Sequence, residues 1–310
     1  MQKIISVFVT LATFLLALLG ISEVQNTGEF NNKNWMSQID GSAYISEISI
    51  PGTHDSCALY EPISPSAKCQ EYTIKDQLEM GVRFIDVRAW VIGGETQISH
   101  GVVLQSQTLN EIVGTCKEFL EENPTETIIF SLKKENSALF SKDEVADIIE
   151  KIVAEDKDGW YVENKIPTLD EVRGKIVLFN RFDEESDLGI NAAGDERWLK
   201  NVSFTIENES HKIHVQDHYN IGKKENIETM WEEAVALMEE SKAEESRSDN
   251  LYVNFLSGYT GIIPNIQSVS DIINPNMANY VSNAGKGCYG IIIMDFVDSE
   301  LCEKIIETNM

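Results

Sequence analysis

The chain has 310 residues, 42% of them hydrophobic and 8% aromatic, enough for one large single-core domain and too apolar for a disordered chain. Its formal net charge is −26. That balance excludes nucleic-acid binding through a basic surface, which needs clustered Lys and Arg to neutralise phosphates, and it disfavours polybasic adsorption to anionic membranes. Any membrane docking must therefore use apolar side chains.

Near the start of the chain, Lys3 is followed by a predominantly apolar, uncharged run to Ile21. Residues 1–22 are expected to be a secretory signal or, given the length of the run, an uncleaved anchor. Export is the expectation; release stays open. A polar stretch to about Asn34 follows, and residues 35–310 are expected to form a single catalytic unit.

Within that unit, β-like runs alternate with amphipathic ones. The β-like runs are SEISI, VRFIDVRAW, TQISHG, ETIIFSLK, KIVLFNR, HKIHVQDHY, LYVNFLS and YGIIIMDFV. Several are β-branched and apolar without strict alternation, as in strands buried on both faces. The amphipathic stretch TLNEIVGTCKEFLEEN sets Leu109, Ile112, Val113, Cys116 and Leu120 at helical spacing. IETMWEEAVALMEES does the same with Met230, Trp231, Ala234, Leu237 and Met238. Ser141 and Asp170 are read as helix starts. The alternation predicts the α/β class, as one (β/α)8 barrel of the TIM type, distorted or incomplete.

Five cysteines, Cys57, Cys69, Cys116, Cys288 and Cys302, leave at least one without an intramolecular partner. A Cys57–Cys69 staple and isolated thiols are both open. No Cys or His spacing resembles a zinc site. Asn201 and Asn208 lie in N-x-S sequons, acceptors only in a eukaryotic host.

In barrels of this class the chemistry gathers where strands end, at the carboxyl face. Here polar residues close the apolar runs: Asp86 with Arg88, His100, Lys133, Arg181, Asp217 with Tyr219, and Asp295. His54, in SIPGTHDS, is read as a loop residue reached by a turn-like Pro-Gly-Thr off the strand SEISI. Asp86 and Arg88 are two apart on a strand and project to one side, as do Asp217 and Tyr219. A guanidinium held by a carboxylate is oriented to match phosphate oxygens. A buried ion pair closing the barrel explains Asp86 and Arg88 equally well when they are taken alone. His54 and His100 tip the balance: two of only five histidines flank that strand, giving a potential general base and general acid. His211, His214 and His218 have no such context and are assigned no role.

The ordered set SIPGTHDS, QLEMGVRFIDVRAW, ISHG, NPTETIIFSLKKE, GKIVLFNRF, VQDHYN, INPNMANYV and IIIMDF resembles the bacterial secreted phosphatidylinositol-specific phospholipases C, from about residue 35 to the C-terminus. The resemblance implies a distorted TIM barrel. It also implies that phosphatidylinositol is cleaved to diacylglycerol and inositol 1,2-cyclic phosphate, with glycosyl-phosphatidylinositol anchors as a further substrate. On it, His54 corresponds to the family's base and His100 to its acid. Arg88 binds the phosphate, Asp55 supports the acid and Asp295 orients the base. Asp86 is a second carboxylate of the phosphate subsite. Lys133, Arg181 and Asp217 grip inositol hydroxyls, and Tyr219 packs on the sugar face. Calcium-dependent eukaryotic relatives carry oxygen ligands at the equivalents of Asp55, Asp86, Arg88 and Lys133. Cations at two of those positions imply catalysis with no metal and no cofactor.

The partner implied is membrane phosphatidylinositol, met peripherally by a monomer. Tyr60, Ile63, Tyr259, Ile262 and Ile263, in CALYEPISPSAKCQ and SGYTGIIPNIQS, are candidates for shallow lipid insertion. Packing on the barrel accounts for them equally well. The tryptophans that family members use here are missing from both segments. Two other functions are weighed. A glycerophosphodiester phosphodiesterase would need an acidic metal cluster, against which Arg88 and Lys133 speak. A non-catalytic inositol-lipid or glycan-binding module would not need His54, His100, Arg88 and Asp295 together.

Overall fold

In a computed structural model the chain is described from residue 31 to residue 310, apart from residues 93–94, 136–142 and 195. The apolar leader at 1–22 and the expected helix start at Ser141 lie outside the described residues.

The first strands are β1 (Ile50–Thr53), β2 (Phe84–Ile92), β3 (Glu95–His100), β4 (Val103–Thr108) and β5 (Ile128–Lys134). They are followed by β6 (Trp160–Tyr161), β7 (Ile176–Arg181), β8 (Ile190–Asn191), β9 (Ser203–Glu207) and β10 (Lys212–Gln216). The last are β11 (Asn220–Gly222), β12 (Asn250–Phe255), β13 (Tyr259–Thr260) and β14 (Ile291–Met294). The parallel strands stand side by side in the order β6-β7-β5-β2-β1-β14-β12-β10. Beyond β10 lies the antiparallel β9, and among the described residues no pairing joins that edge to β6. The sheet is thus a mostly parallel arc that does not close, an incomplete barrel.

The central strands are buried along their whole apolar length, as in β1, β14 and the first residues of β2, β5 and β7. Helices supply the outer layer. The helix Leu109–Glu122 buries Leu109, Ile112, Val113, Cys116, Phe119 and Leu120. It starts at Thr108, whose hydroxyl accepts from the Glu111 amide while Glu111 accepts from the Thr108 amide at 2.8 Å. Such a cap contributes about 1 kcal/mol. The helix Ile227–Ala243 covers β10 and β12 with Met230, Ala234, Leu237 and Met238; Trp231 is only half-buried. Beneath the barrel, Arg83 and Glu126 form a fully buried pair at 2.9 Å.

Several sequence expectations need correction. SEISI is not a strand: Ile45–Glu47 is a 3₁₀ turn, and the strand is Ile50–Thr53, so Pro-Gly-Thr is strand rather than turn. Pro51 fits because pairing with β2 starts only at Gly52, so its missing N–H breaks no rung. Gly52 is needed for close approach: a Cβ there would stand 3.0 Å from Ile293 Cγ1 and 3.1 Å from Phe84 Cβ. TQISHG is not a barrel strand either. β2 runs past the barrel, and β3 returns antiparallel to it, delivering His100 from above. Asp170 lies inside the first turn of Leu169–Val172, because Thr168 and Glu171 form the capping box. No Cys57–Cys69 staple forms; all five cysteines are free and buried.

Candidate active site

The strand ends converge on one cavity of about 360 Å³. His54, Arg88, His100, Lys133, Arg181, Asp217 and Tyr219 all line it. Asp55, Asp86 and Asp295 are buried among these side chains. The structure therefore brings together all ten residues singled out from the sequence.

His54 follows β1 directly. Its Nδ1 lies 2.8 Å from Asp295 Oδ1, at the end of β14. A carboxylate accepts, so Nδ1 carries the proton and Nε2 is left as the basic nitrogen. Gln70 locks the geometry by donating to the carbonyls of both His54 and Met294, each at 2.9 Å. Asn274, in the INP segment, donates to the carbonyls of Asp295 and Phe296 at 2.9 and 3.1 Å.

His100 faces His54, with ring centroids 6.4 Å apart and planes at 86°. Its Nδ1 donates to the Ala67 carbonyl at 2.8 Å, because a carbonyl can only accept. Asp55 Oδ2 is 3.9 Å from His100 Nε2, an electrostatic neighbour beyond hydrogen-bond length. Asp55 takes a left-handed backbone (φ 40°), held by its amide donating to Asp86 Oδ2 at 3.1 Å. Strained backbone of this kind concentrates at functional sites. Burial raises the Asp55 carboxyl above its ordinary range, even with Arg88 Nε 3.5 Å away.

Asp86 organises the floor. Its Oδ2 accepts from Arg88 Nε at 3.1 Å and Nη2 at 3.0 Å, and its Oδ1 accepts from Arg181 Nη1 at 3.1 Å. Burial alone would raise this carboxyl, but Arg88 and Arg181 hold it well below the usual range. Arg88 loses solvation in the same burial, yet Asp86, Asp55 and Glu135 keep it firmly charged. Its guanidinium is a fixed cation beside both imidazoles.

Lys133, from β5, pairs with Glu135 at 3.2 Å. Burial and the neighbouring Arg88 lower its ammonium below the ordinary lysine value. Glu135 also accepts from the Gly101 amide at 3.2 Å, tying β5 to the turn that follows His100. At the far wall, Arg181 sits 3.7 Å over the ring of Trp198, whose Nε1 donates to Asp217 Oδ2 at 2.9 Å. Tyr219 lies beside Tyr259, centroids 6.3 Å apart.

Sequence reasoning missed Gln70, Glu135, Trp198 and Asn274. Trp198 sits outside any strand or helix and carries no periodicity. Asn274 lay inside a quoted segment, INPNMANYV, but its backbone-bracing role needs the neighbouring chain to be seen.

Chemically, the cavity holds two imidazoles facing each other, a guanidinium in the same lining, and hydrogen-bond donors and acceptors on one wall. Tyr60, Ile63, Ile262 and Ile263 are strongly exposed, with Ile262 fully so; Tyr259 is half-buried and lines the cavity.

Known proteins resemble this chain along most of its length. Residues 45–182 match the family model of the phosphatidylinositol-specific phospholipase C, X domain. The chain is 32% identical over 302 residues to a 1-phosphatidylinositol phosphodiesterase of Staphylococcus aureus, covering 89% of this chain and 94% of that one. It is 31% identical over 293 residues to a protein of the same name from Listeria monocytogenes, covering 89% and 85%. A solved structure of the S. aureus phosphatidylinositol-specific phospholipase C, described for the modulation of its membrane binding, superposes with a TM-score of 0.79 at 29% identity. That match covers 90% of this chain and 98% of the other. The chain belongs to the phosphatidylinositol-specific phospholipase C X-domain family.

Proposed function

We propose that this chain is a phosphatidylinositol phosphodiesterase of the phospholipase C type, releasing diacylglycerol and inositol 1,2-cyclic phosphate, with residues 35–310 acting as one catalytic unit. The observation that carries the reading is the pair of imidazoles, 6.4 Å apart in one cavity whose lining also includes the Arg88 guanidinium, held by Asp55 and Asp86.

His54 Nε2 takes the proton of the inositol 2-hydroxyl, and that oxygen attacks the adjacent phosphorus. The phosphorus–oxygen bond to glycerol breaks, and the departing oxygen takes its proton from His100. Arg88 stabilises the charge that grows on the non-bridging oxygens. His54 ends protonated and His100 neutral, so a water molecule can later open the cyclic phosphate with the roles reversed. Asp295 keeps His54 in the working tautomer, and Asp55 stands beside the His100 nitrogen that gives up its proton.

Lys133, Arg181 and Asp217 supply hydroxyl partners for the headgroup, and Tyr219 an apolar face. The Arg88 and Lys133 cations stand where oxygen ligands would have to sit, which supports catalysis without a metal. The exported enzyme meets the bilayer peripherally, through the exposed apolar side chains at the cavity mouth. A surface of net charge −26 makes that contact hydrophobic rather than ionic.

The test is phosphorus NMR of phosphatidylinositol vesicles incubated with the purified protein and EDTA. A cyclic phosphate resonance is expected. Its absence with EDTA but presence with calcium would overturn the metal-free mechanism, and its absence in both would overturn the activity.

A further inference from the structure

We propose that Asp55, Cys69 and His100 form an inhibitory site for a thiophilic divalent cation of the zinc and cadmium class. Cys69 is fully buried, and its Sγ lies 3.9 Å from His100 Nδ1. Potential ligand atoms of Asp55, Cys69 and His100 all lie within 4.8 Å of one another. Among the described residues, both clusters with metal-ligand spacing contain this thiol; the other holds His54 and Asp295.

Two further observations point to a ligand. Asp55 is fully buried, and among the described residues neither of its carboxylate oxygens accepts a hydrogen bond. His100 already donates Nδ1–H to the Ala67 carbonyl at 2.8 Å, which leaves the Nε2 lone pair for a metal. Metal-bound histidines characteristically have their other ring nitrogen held in this way. The Asp55 Oδ2 to His100 Nε2 separation is 3.9 Å. Bonds of about 2.0–2.3 Å place tetrahedral ligands roughly 3.3–3.8 Å apart, so a bound cation draws the three ligand atoms together from separations that nowhere exceed 4.8 Å.

The alternative cluster is the weaker one, because Asp295 Oδ1 is committed to His54 at 2.8 Å. Three ligands with one sulfur select a soft cation, whereas calcium needs six to eight oxygens. On binding, the Cys69 S–H bond breaks, an S–metal bond forms and the proton leaves to solvent. Carboxylate and thiolate together neutralise the dication, and Arg88 keeps Asp86 as its partner. The metal would occupy the nitrogen that must deliver a proton, and would thereby block turnover. The inhibitory effect rests on the function proposed above; the binding itself does not.

The test is titration of the purified full chain with cadmium chloride, followed by the ultraviolet thiolate-to-cadmium charge-transfer absorbance, with phosphatidylinositol cleavage assayed in parallel. One cadmium per chain is expected, with cleavage falling in step with the absorbance. Cys69→Ala should lose the absorbance, keep basal turnover and resist cadmium, while calcium and magnesium leave the wild type unaffected. Asp55→Asn should weaken cadmium binding by about tenfold or more. Cys69→Ser, closer in shape, serves if the alanine variant does not fold. An absorbance that survives removal of Cys69, or that is unchanged by Asp55→Asn, overturns the site. Cys69-dependent cadmium binding in a chain that cleaves no phosphatidylinositol would uphold the site and defeat only the function.

Discussion

The two imidazoles face the same cavity, but they are held by different kinds of group. His54 is bonded to a buried carboxylate at 2.8 Å, and among the described residues Asp295 has no other cation within salt-bridge distance. His100 is bonded to a backbone carbonyl at 2.8 Å and sees its carboxylate only at 3.9 Å, one that Arg88 also approaches at 3.5 Å. Both arrangements fix the proton on Nδ1; the first does so through a carboxylate, the second through a neutral carbonyl, with a carboxylate 3.9 Å from Nε2. The same side chain is held by different groups at the two positions.

The largest expected effect tests both positions at once. His54→Ala and His100→Ala should each lower phosphatidylinositol turnover by about 10²–10⁴-fold, with an unchanged circular dichroism spectrum. Near wild-type turnover in either variant would refute the role of that histidine.

The contrast sharpens one layer back. Asp295→Asn places an amide opposite His54 Nδ1 and permits the wrong tautomer, so turnover should fall by on the order of 10²-fold or more. Asp55→Asn should cost less turnover, because no hydrogen bond to His100 is lost. It should also stabilise the fold at neutral pH. Burial raises the Asp55 carboxyl, so the folded state binds more protons than the unfolded one above the ordinary carboxylate value of 3.8. Stability therefore falls as pH rises through that window, and a neutral amide removes the loss. Urea midpoints of the two variants at pH 7 check this; equal midpoints and equal rates would erase the distinction.

A change outside both imidazoles should leave their chemistry alone. Ile262→Ser with Ile263→Ser removes exposed apolar surface at the mouth, each buried isoleucine being worth about 1.5–3 kcal/mol. The vesicle concentration for half-maximal rate should rise about tenfold or more, while the saturated rate stays within about twofold.

The smallest effect comes from a histidine kept for structure. His211 is buried, and burial with the nearby Arg197 pushes its imidazole down to about 4. Its Nε2 faces the Asn208 amide at 3.1 Å, a donor that suits only the neutral ring. The folded value lies below the unfolded one, so this contribution is complete above about pH 6.5 and is lost as pH falls toward 4. Urea midpoints should drop across that window, and less steeply in His211→Gln.

Much of this molecule was legible in one dimension. Burial on both faces writes itself into a strand as an unbroken apolar run, so the strands of IIFSL, IVLF and IIIM stood out before any pairing was known. Polar residues closing such runs marked Asp86, Arg88, Lys133, Arg181 and Asp295 as one face, because a strand must end where its core ends. Resemblance then attached roles to those positions. Tertiary structure alone decided the rest. The arrival of His100 on an antiparallel return, the Ala67 carbonyl behind it, the Trp198 bridge between Arg181 and Asp217 and the open edge beside β9 depend on contacts between distant segments. Periodicity reports which face of an element is buried, but not which foreign atom meets it. The fate of Cys69 shows the same limit: its spacing from Cys57 left a staple and a free thiol both open, and only the fold put its sulfur beside an imidazole and a buried carboxylate.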